Sequence, residues 1–294
     1  MNRSIRNKRR FAALTGLAFL TASVSALAIY VGQEIMTPEF ARAEYRPMSL
    51  VIIPPHAAVS KDGMFSSQQL IEQGGDVEDA TAEACKNILS KLGYEVRILT
   101  VDEVNADPDL QVMVRDVNKR FNEDFLQKIT GLTKKQLQHV RERRYTMGDE
   151  AQILADRLGA DAIIVSRIQI AAAAGGASVF SLGTGGEAEI HVGVIAGDNG
   201  DLEAIFTGAQ IGLSAKKLEK NPLKTLSKIF GSVLKDYPKP DKLVKVKKSW
   251  PQTTNREVPD TELSDEDVLS NMEAMFEQPE KEATPALDAV LPAE

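Results

Sequence analysis

Few side chains in this 294-residue chain are of the types that carry out chemistry. There is one cysteine, Cys85, and there are three histidines, His56, His139 and His191. One cysteine cannot form an intrachain disulfide or a cysteine-rich zinc site, and three scattered histidines do not suggest a histidine cage. The sequence also lacks a Ser-His-Asp elbow and a paired-carboxylate motif. We therefore predict no catalytic residue, no metal site and no cofactor, and we do not expect an enzyme.

Glu189 and His191 form the one pair that could titrate or bind a metal. They stand two positions apart, so a β-strand would place both side chains on the same face. Apolar residues alternate with them and would form the buried face of that strand: Ala188, Ile190, Val192 and Val194. The ordinary interpretation of this pattern is a half-buried strand on which His191 faces the solvent.

Glycines are concentrated between residues 171 and 186, at Gly175, Gly176, Gly183, Gly185 and Gly186. Such a loop can hold a phosphate when it leads into a helix amino terminus, but this one leads into a strand and matches no phosphate-binding motif. We interpret it as a flexible hairpin or pore-facing loop whose glycines contact a partner. The alternative is that these glycines make the chain a ligand-binding module.

Cys85 lies within a helical pattern rather than in a site. Residues 76–92 predict a helix, with acidic residues at its start and Gly93 as its left-handed cap. One face of this helix is apolar at helical spacing: Thr81, Ala84, Cys85, Ile88, Leu89 and Leu92. This pattern predicts a buried, structural thiol.

Alternating strands and helices must position these residues. Residues 49–53 read as a buried strand that ends at Pro54-Pro55, and residues 56–75 as a loop. A strand at 94–101, a helical insertion at 109–144 with a basic, solvated second half, and a helix capped by Thr146 follow. Three strands at 160–170, 187–197 and 202–213 come next, with Asn199-Gly200 turning the last hairpin. An amphipathic helix at 221–237 closes the pattern. This order predicts one α/β domain over residues 49–237, with a mixed sheet, helices on its faces and a closing β-hairpin.

The amino terminus shows an export pattern. Arg3, Arg6, Lys8, Arg9 and Arg10 precede an uncharged run over residues 11–31. Small residues up to Ala26 or Ala28 suit cleavage of a signal peptide, whereas the whole run is about the ~20 residues that an uncleaved anchor needs. Residues 1–31 are thus predicted to direct export to the periplasm, with or without an inner-membrane anchor. Residues 32–48 read as a polar linker.

Charge changes sharply along the last part of the chain. The net charge of −7 argues against nucleic-acid binding, yet lysines dominate from Lys216 to Lys248. Those lysines would either attract an anionic membrane or cell-wall surface or pair with the chain's own acidic end. Residues 238–294 as a whole predict a disordered tail, basic and then acidic.

The acidic tail contains one short amphipathic pattern. Its apolar residues share one helical face after a capping-box serine: Val268, Leu269, Met272, Met275 and Phe276. So short a helix is marginal in water, so we predict that it docks into a partner's groove, or else folds back onto its own domain.

Three segments follow one another in a characteristic order: Leu50-Val-Ile-Ile-Pro-Pro55, Leu92-Gly-Tyr-Glu-Val96 and Leu158-Gly-Ala-Asp-Ala-Ile-Ile-Val165. With the turn Asp198-Asn-Gly-Asp-Leu202, they resemble a family of Gram-negative envelope proteins over roughly residues 49–213. This family comprises the TolB amino-terminal-like domains and the curli-secretion-channel (CsgG-like) and peptidoglycan-synthase-activator lipoproteins.

The resemblance implies a non-enzymatic envelope protein that docks onto, or assembles with, other envelope components or copies of itself. The chain departs from the family in having no amino-terminal cysteine for lipid attachment, and in its insertion and acidic tail. A less favoured alternative is an uncharacterised periplasmic enzyme.

Overall fold

A mixed eight-stranded β-sheet forms the middle layer of the protein in a computed structural model. The structure describes residues 30–42, 46–62, 67–69, 71–129, 141–173, 186–213, 215–247, 250–251 and 256–257. The strands in chain order are β1 (Tyr30–Met36), β2 (Ser49–Ile52), β3 (His56–Asp62), β4 (Ser67–Gln69), β5 (Glu95–Ile98), β6 (Arg144–Tyr145), β7 (Ala162–Ala173), β8 (Gly186–Ala196), β9 (Leu202–Leu213) and β10 (Arg256–Glu257). The short strands β6 and β10 form a separate parallel pair.

The sheet is antiparallel on one side and parallel on the other. Its order is β1-β9-β8-β7-β2-β5, and the neighbours from β1 to β7 are antiparallel. β2 and then β3 run parallel to β7 along the same edge, so they are two halves of one strand. Pro54 and Pro55 separate the halves because proline has no N–H to donate to the ladder.

Helices cover both faces of the sheet. They are α1 (Pro38–Ala41), α2 (Ile71–Leu92), α3 (Val101–Asn105), α4 (Pro108–Lys119), α5 (Leu126–Ile129), α6 (Asp149–Leu158), α7 (Ala215–Lys220) and α8 (Pro222–Val233). A π-helical turn, Arg120–Phe125, joins α4 to α5. The predicted α/β class, with a mixed sheet, helices on its faces and a closing hairpin, is confirmed. In the part of the chain described here, no helix is both long and apolar enough to cross a membrane.

Alternating strand residues build a separate core on each face. Leu50 and Ile52 point towards α2 and α8, and Val51 and Ile53 point towards α4 and α6. We call these sides the α2 face and the α6 face. The apolar residues of β8 lie on the α2 face as predicted, and Cys85 packs against the same core with 1% of its surface exposed. Burying alternate side chains on both sides is what fixes the register of the central strands.

The segment 56–75, predicted to be a loop, forms β3, β4 and the start of α2 instead. Pairing with β7 resumes at His56, directly after the two prolines, and Val59 is buried. The interruption is therefore local, because β7 continues alongside and offers its backbone to the residues that follow. The helix begins at Ile71, five residues earlier than predicted.

The predicted linker over residues 32–48 is also part of the fold. β1 pairs with β9 along its whole length, and Met36, Phe40 and Ala41 are buried. The Thr37 hydroxyl caps α1 by accepting a hydrogen bond from Phe40 N at 3.3 Å. β1 resembles a linker in sequence because it carries polar residues and because its partner, β9, lies far along the chain.

The folded region continues past residue 237, where the predicted tail begins. Residues 238–247 with Trp250 and Pro251, which we call the strap, cross α1 and β1. Val244 N donates to Ala41 O at 2.8 Å, and Trp250 Nε1 donates to Glu34 O at 3.2 Å. Trp250 is fully buried. The sequence does not indicate that this segment packs on the domain, because its one buried tryptophan lies among many exposed lysines.

Two local predictions around residue 146 are wrong. Thr146 does not cap the next helix, because its backbone is bridged to Asp201 and its hydroxyl bonds to Gly200 O. The cap residue is Gly148, with a φ of 85° and the Arg120–Glu150 ion pair packed where a Cβ would be. The predicted insertion is helical from residue 108 to 129, but its last residue, Arg144, lies in β6.

The closing hairpin follows its prediction more closely. Gly200 has the positive φ expected of it, at 69°. Its loop comprises residues 197–201, in which the Asn199 side chain accepts a hydrogen bond from Asp201 N at 2.8 Å.

Candidate functional site

A cavity of about 270 Å³ lies on the α6 face, between the sheet and the chain that leads into β6. Its floor is a row of side chains that face one another across three strands: His191 of β8, Thr207 of β9 and Gln33 of β1. Its walls include Phe125 from the π-helical turn and Tyr145 from β6. Further apolar lining comes from Ile35, Ile129, Leu202, Ile205 and Pro251.

The π-helical turn can lie this close to the sheet because β8 has a glycine beneath it. A Cβ on Gly193 would stand 2.6 Å from Cε2 of Phe121 and 2.9 Å from Cγ1 of Val165. Phe121 therefore packs directly on the strand, and Phe125 stacks beside it with ring centroids 6.1 Å apart. The missing side chain at Gly193 thus allows the cavity wall formed by the π-helical turn to lie close to the sheet.

Glu189 and His191 share one face, as the alternating pattern predicts. His191 Nε2 lies 3.1 Å from Glu189 Oε1, and this hydrogen bond lowers the pKa of Glu189 against the opposing effect of burial. The prediction that His191 faces the solvent is wrong, because only 9% of its surface is exposed beneath the cavity walls. His191 Nδ1 is sealed from solvent without a hydrogen-bond partner. Among the described residues, no group of three or more metal-ligating side chains forms here or elsewhere.

Arg141 lines the same cavity and is only partly exposed. Its Nε is sealed from solvent without a hydrogen-bond partner, and burial lowers the pKa of the guanidinium. Its neighbour Arg143 differs, because it forms an ion pair with Glu257 and is half exposed. Among the described residues, no carboxylate forms an ion pair with Arg141 at the cavity.

A second charged cluster closes one end of the cavity. Arg144 Nη2 lies 2.8 Å from Glu203 Oε1 and 3.7 Å from Asp201 Oδ2, and Arg144 Nη1 lies 3.8 Å from Glu39 Oε1. The Thr37 hydroxyl donates to the other oxygen of Glu203. Burial raises the pKa of Glu203, which Thr37 and Arg144 oppose. Arg144 is thus not on the solvated surface that we predicted for the basic half of the insertion, because it is mostly buried among carboxylates, whereas Arg143 is exposed as predicted.

The other predicted site residues are not brought to this cavity by the described structure. Gly186 opens β8 and pairs with Leu213. The next residue, Glu187, lines a second, open cavity of about 520 Å³ together with Ala58 and Gln169. The remaining loop glycines, Gly175, Gly176, Gly183 and Gly185, lie outside the described residues. The predicted docking residues Val268, Leu269, Met272, Met275 and Phe276 also lie outside them, as does His139. Burial raises the pKa of Cys85 to about 12, which agrees with a structural thiol.

Sequence reasoning missed Arg141 as an individual residue. It stands in a basic run with Arg143 and Arg144, and nothing in that run shows which arginine has a carboxylate within reach. The pairing of Arg143 with Glu257 and of Arg144 with Glu203 depends on contacts between distant segments. The alternation around His191 was the only local signal for this cavity.

No protein-family model matches the chain, and no curated protein matches it. The PelC dodecamer from Paraburkholderia phytofirmans, a solved structure, is 12% identical; the match covers 70% of this chain and 95% of that chain, with a TM-score of 0.33. Lipoprotein GNA1162 from Neisseria meningitidis is also 12% identical, with 63% and 99% covered and a TM-score of 0.26. Similarity this weak assigns neither a family nor a function, and the resemblance to TolB-like and CsgG-like proteins stays a prediction.

Proposed function

We propose that this protein is an exported component of the cell envelope that acts by binding rather than by catalysis. The basic residues before residue 11 and the apolar run after them support export. The position of β1 supports cleavage, because Tyr30 and Val31 belong to this strand and so are not part of a membrane-spanning helix. Removal of the segment up to Ala26 or Ala28 leaves β1 whole.

The observation that carries a binding role is the lysine-rich surface around α8. Nine lysines there are exposed, against three exposed acids at Glu219, Asp236 and Asp241: Lys217, Lys220, Lys224, Lys228, Lys235, Lys239, Lys242, Lys245 and Lys247. Within the described residues, only Lys235 and Lys247 of these form an ion pair. We call this set the lysine surface.

Apolar side chains are also exposed on the lysine surface. Leu223 is 40% exposed and Leu243 is 76% exposed, although the opposite side of α8 is buried in the core. Exposed leucines between lysines are typical of proteins that lie on an anionic membrane surface. The lysine surface therefore suits the phospholipid or cell-wall anions of the envelope.

Two threonine hydroxyls near the cavity are bonded to groups other than His191. The Thr37 hydroxyl donates to Glu203, and the Thr207 hydroxyl donates to Gln33 O at 3.2 Å. Neither threonine is therefore paired with His191 as an activated nucleophile would be. Other envelope proteins and further copies of this chain are the partners that the proposal includes.

Sedimentation with lipid vesicles tests the lysine surface. We expect binding to vesicles that contain phosphatidylglycerol, little binding to phosphatidylcholine alone, and loss of binding at high salt. Each lysine near an anionic surface contributes ~1 kcal/mol, so Lys224→Gln with Lys228→Gln should weaken binding by roughly tenfold or more.

Arg115→Gln with Lys119→Gln removes the same charge from α4, on the other face of the sheet, and should leave binding unchanged. Equal losses in the two double variants would contradict a specific surface. A chain that ends at residue 259 tests the remaining alternative, in which the lysines pair with the chain's own acidic end. If the acidic end normally covers these lysines, this shorter chain binds vesicles more strongly than the full chain.

A further inference from the structure

We propose that the cavity between Arg141 and His191 binds a small amphipathic anion, namely a carboxylate on a short apolar chain. This inference is independent of export and of the lysine surface, which lies on another part of the molecule. The proposed ligand site is the cavity between the sheet and the π-helical turn, and not the glycine-rich loop.

One of the two arginines that line the cavity has no carboxylate partner among the described residues. Glu189 is bonded to His191, and Glu203 is bonded to Arg144 and Thr37. Arg143 is held by Glu257. Arg141 remains without an ion-pair partner among the described residues, and its Nε has no acceptor. A half-buried guanidinium without a partner costs free energy, which a bound anion would recover.

A second nitrogen at the floor lacks a partner in the same way. His191 Nδ1 accepts no hydrogen bond and donates none in the described structure, while Nε2 is committed to Glu189. Nε2 faces a carboxylate, which accepts, so Nε2 is the donor of this pair and Nδ1 of a neutral imidazole has no hydrogen to donate. Arg141, whose side chain lines the cavity, is therefore the group that we propose as the partner of the ligand's carboxylate.

The remaining lining and the size define the rest of the ligand. Phe125, Ile129 and Ile205 give the walls an apolar character that suits a hydrocarbon chain. About 270 Å³ is roughly the volume of nine water molecules. That space accommodates a chain of several carbons, but it excludes a whole phospholipid or a polymer segment. A short fatty acid or an acyl-type carboxylate fits both the charge and the shape.

Three eight-carbon probes that differ only in their head group test the proposal by calorimetry. We expect octanoate to bind at millimolar concentration or below, and 1-octanol and octylammonium to bind at least tenfold more weakly, because only the carboxylate pairs with Arg141. In parallel, the ¹⁵N signals of the His191 ring should shift when octanoate binds, because His191 lines the cavity. Equal binding of octanoate and 1-octanol, stronger binding of octylammonium, or a cavity that holds only water would each overturn the proposal.

Arg141→Gln is the informative variant, because this side chain makes no hydrogen bond through Nε that folding depends on. It should weaken octanoate binding by about tenfold or more and should not lower the melting temperature of the free protein. Arg143→Gln, two residues away with its guanidinium already paired, is the matched control and should change binding far less. Unchanged octanoate binding by Arg141→Gln would mean that the anion binds elsewhere, and the proposal would fail.

Discussion

Glu203 shows how one side chain can couple the stability of this protein to pH. It is 2% exposed, and burial raises the pKa of its carboxyl above the ordinary value of 4.5, although Thr37 and Arg144 favour the charged form. As the pH rises past 4.5, the unfolded chain releases this proton while the folded chain still holds it. Folding then binds a proton, so the free energy of unfolding falls as the pH rises through this window.

Glu203→Gln should therefore flatten this dependence. Glutamine cannot titrate, so the variant should lose less stability than the wild-type protein between pH 4.5 and the raised pKa of Glu203. Urea unfolding over a series of pH values from this point to above neutral measures the slope. Glu83→Gln on the exposed side of α2 controls for the loss of one negative charge. If the Glu203→Gln and wild-type slopes coincide, the carboxyl does not titrate in this range.

Among the elements, the strap has the least regular structure and some of the most specific contacts. Arg46 Nε donates to Phe40 O at 2.8 Å and its Nη2 donates to Lys242 O at 2.9 Å, so one guanidinium joins α1 to the strap. The Tyr94 hydroxyl donates to Pro238 O at 3.0 Å. Trp250 then covers β1 at the edge of the sheet.

Trp250→Ala should lower the free energy of unfolding by about 3–5 kcal/mol, because it leaves a cavity and removes the hydrogen bond to Glu34 O. Leu243→Ala changes an exposed side chain of the same strap and should cost less than about 0.5 kcal/mol. Chemical denaturation of the two variants under identical conditions compares these costs. Similar losses in both, or no loss in Trp250→Ala, would show that the strap is not part of the cooperative fold.

Elements with strong local patterns were predictable, and those that depend on distant partners were not. The alternation in β8 and the helical stripe around Cys85 each carry their own signal, so both were found. β1 and the strap carry no such pattern, and their partners, β9 and α1, lie far from them along the chain. The cavity follows the same rule. The spacing of Glu189 and His191 predicted their pairing, whereas Arg141 differs from Arg143 and Arg144 only in lacking an ion pair among the described residues, which the sequence does not show.

At the scale of the whole molecule, β1 begins at Tyr30, just after the predicted cleavage positions at Ala26 and Ala28. A protein recovered from the periplasm should therefore start at or just before residue 29, with the segment up to Ala26 or Ala28 removed. Intact-mass measurement after cell fractionation gives this boundary directly. A chain that lacks residues 2–29 keeps β1, so it should fold but remain in the cytoplasm. A full-length mass in the membrane fraction would favour an uncleaved anchor.

The pairing of β1 with β9 also sets the order in which the molecule can fold. Gln33 and Thr207, which are bonded across these strands, lie 174 residues apart, and Met36 pairs with Ala204. β1 is thus synthesised long before its partner β9. Contacts between residues so far apart in the sequence form slowly. Until β9 has been synthesised, β1 has no partner and the sheet remains incomplete. Under the proposed export, this slow pairing would keep the chain unfolded while it passes through a translocation channel.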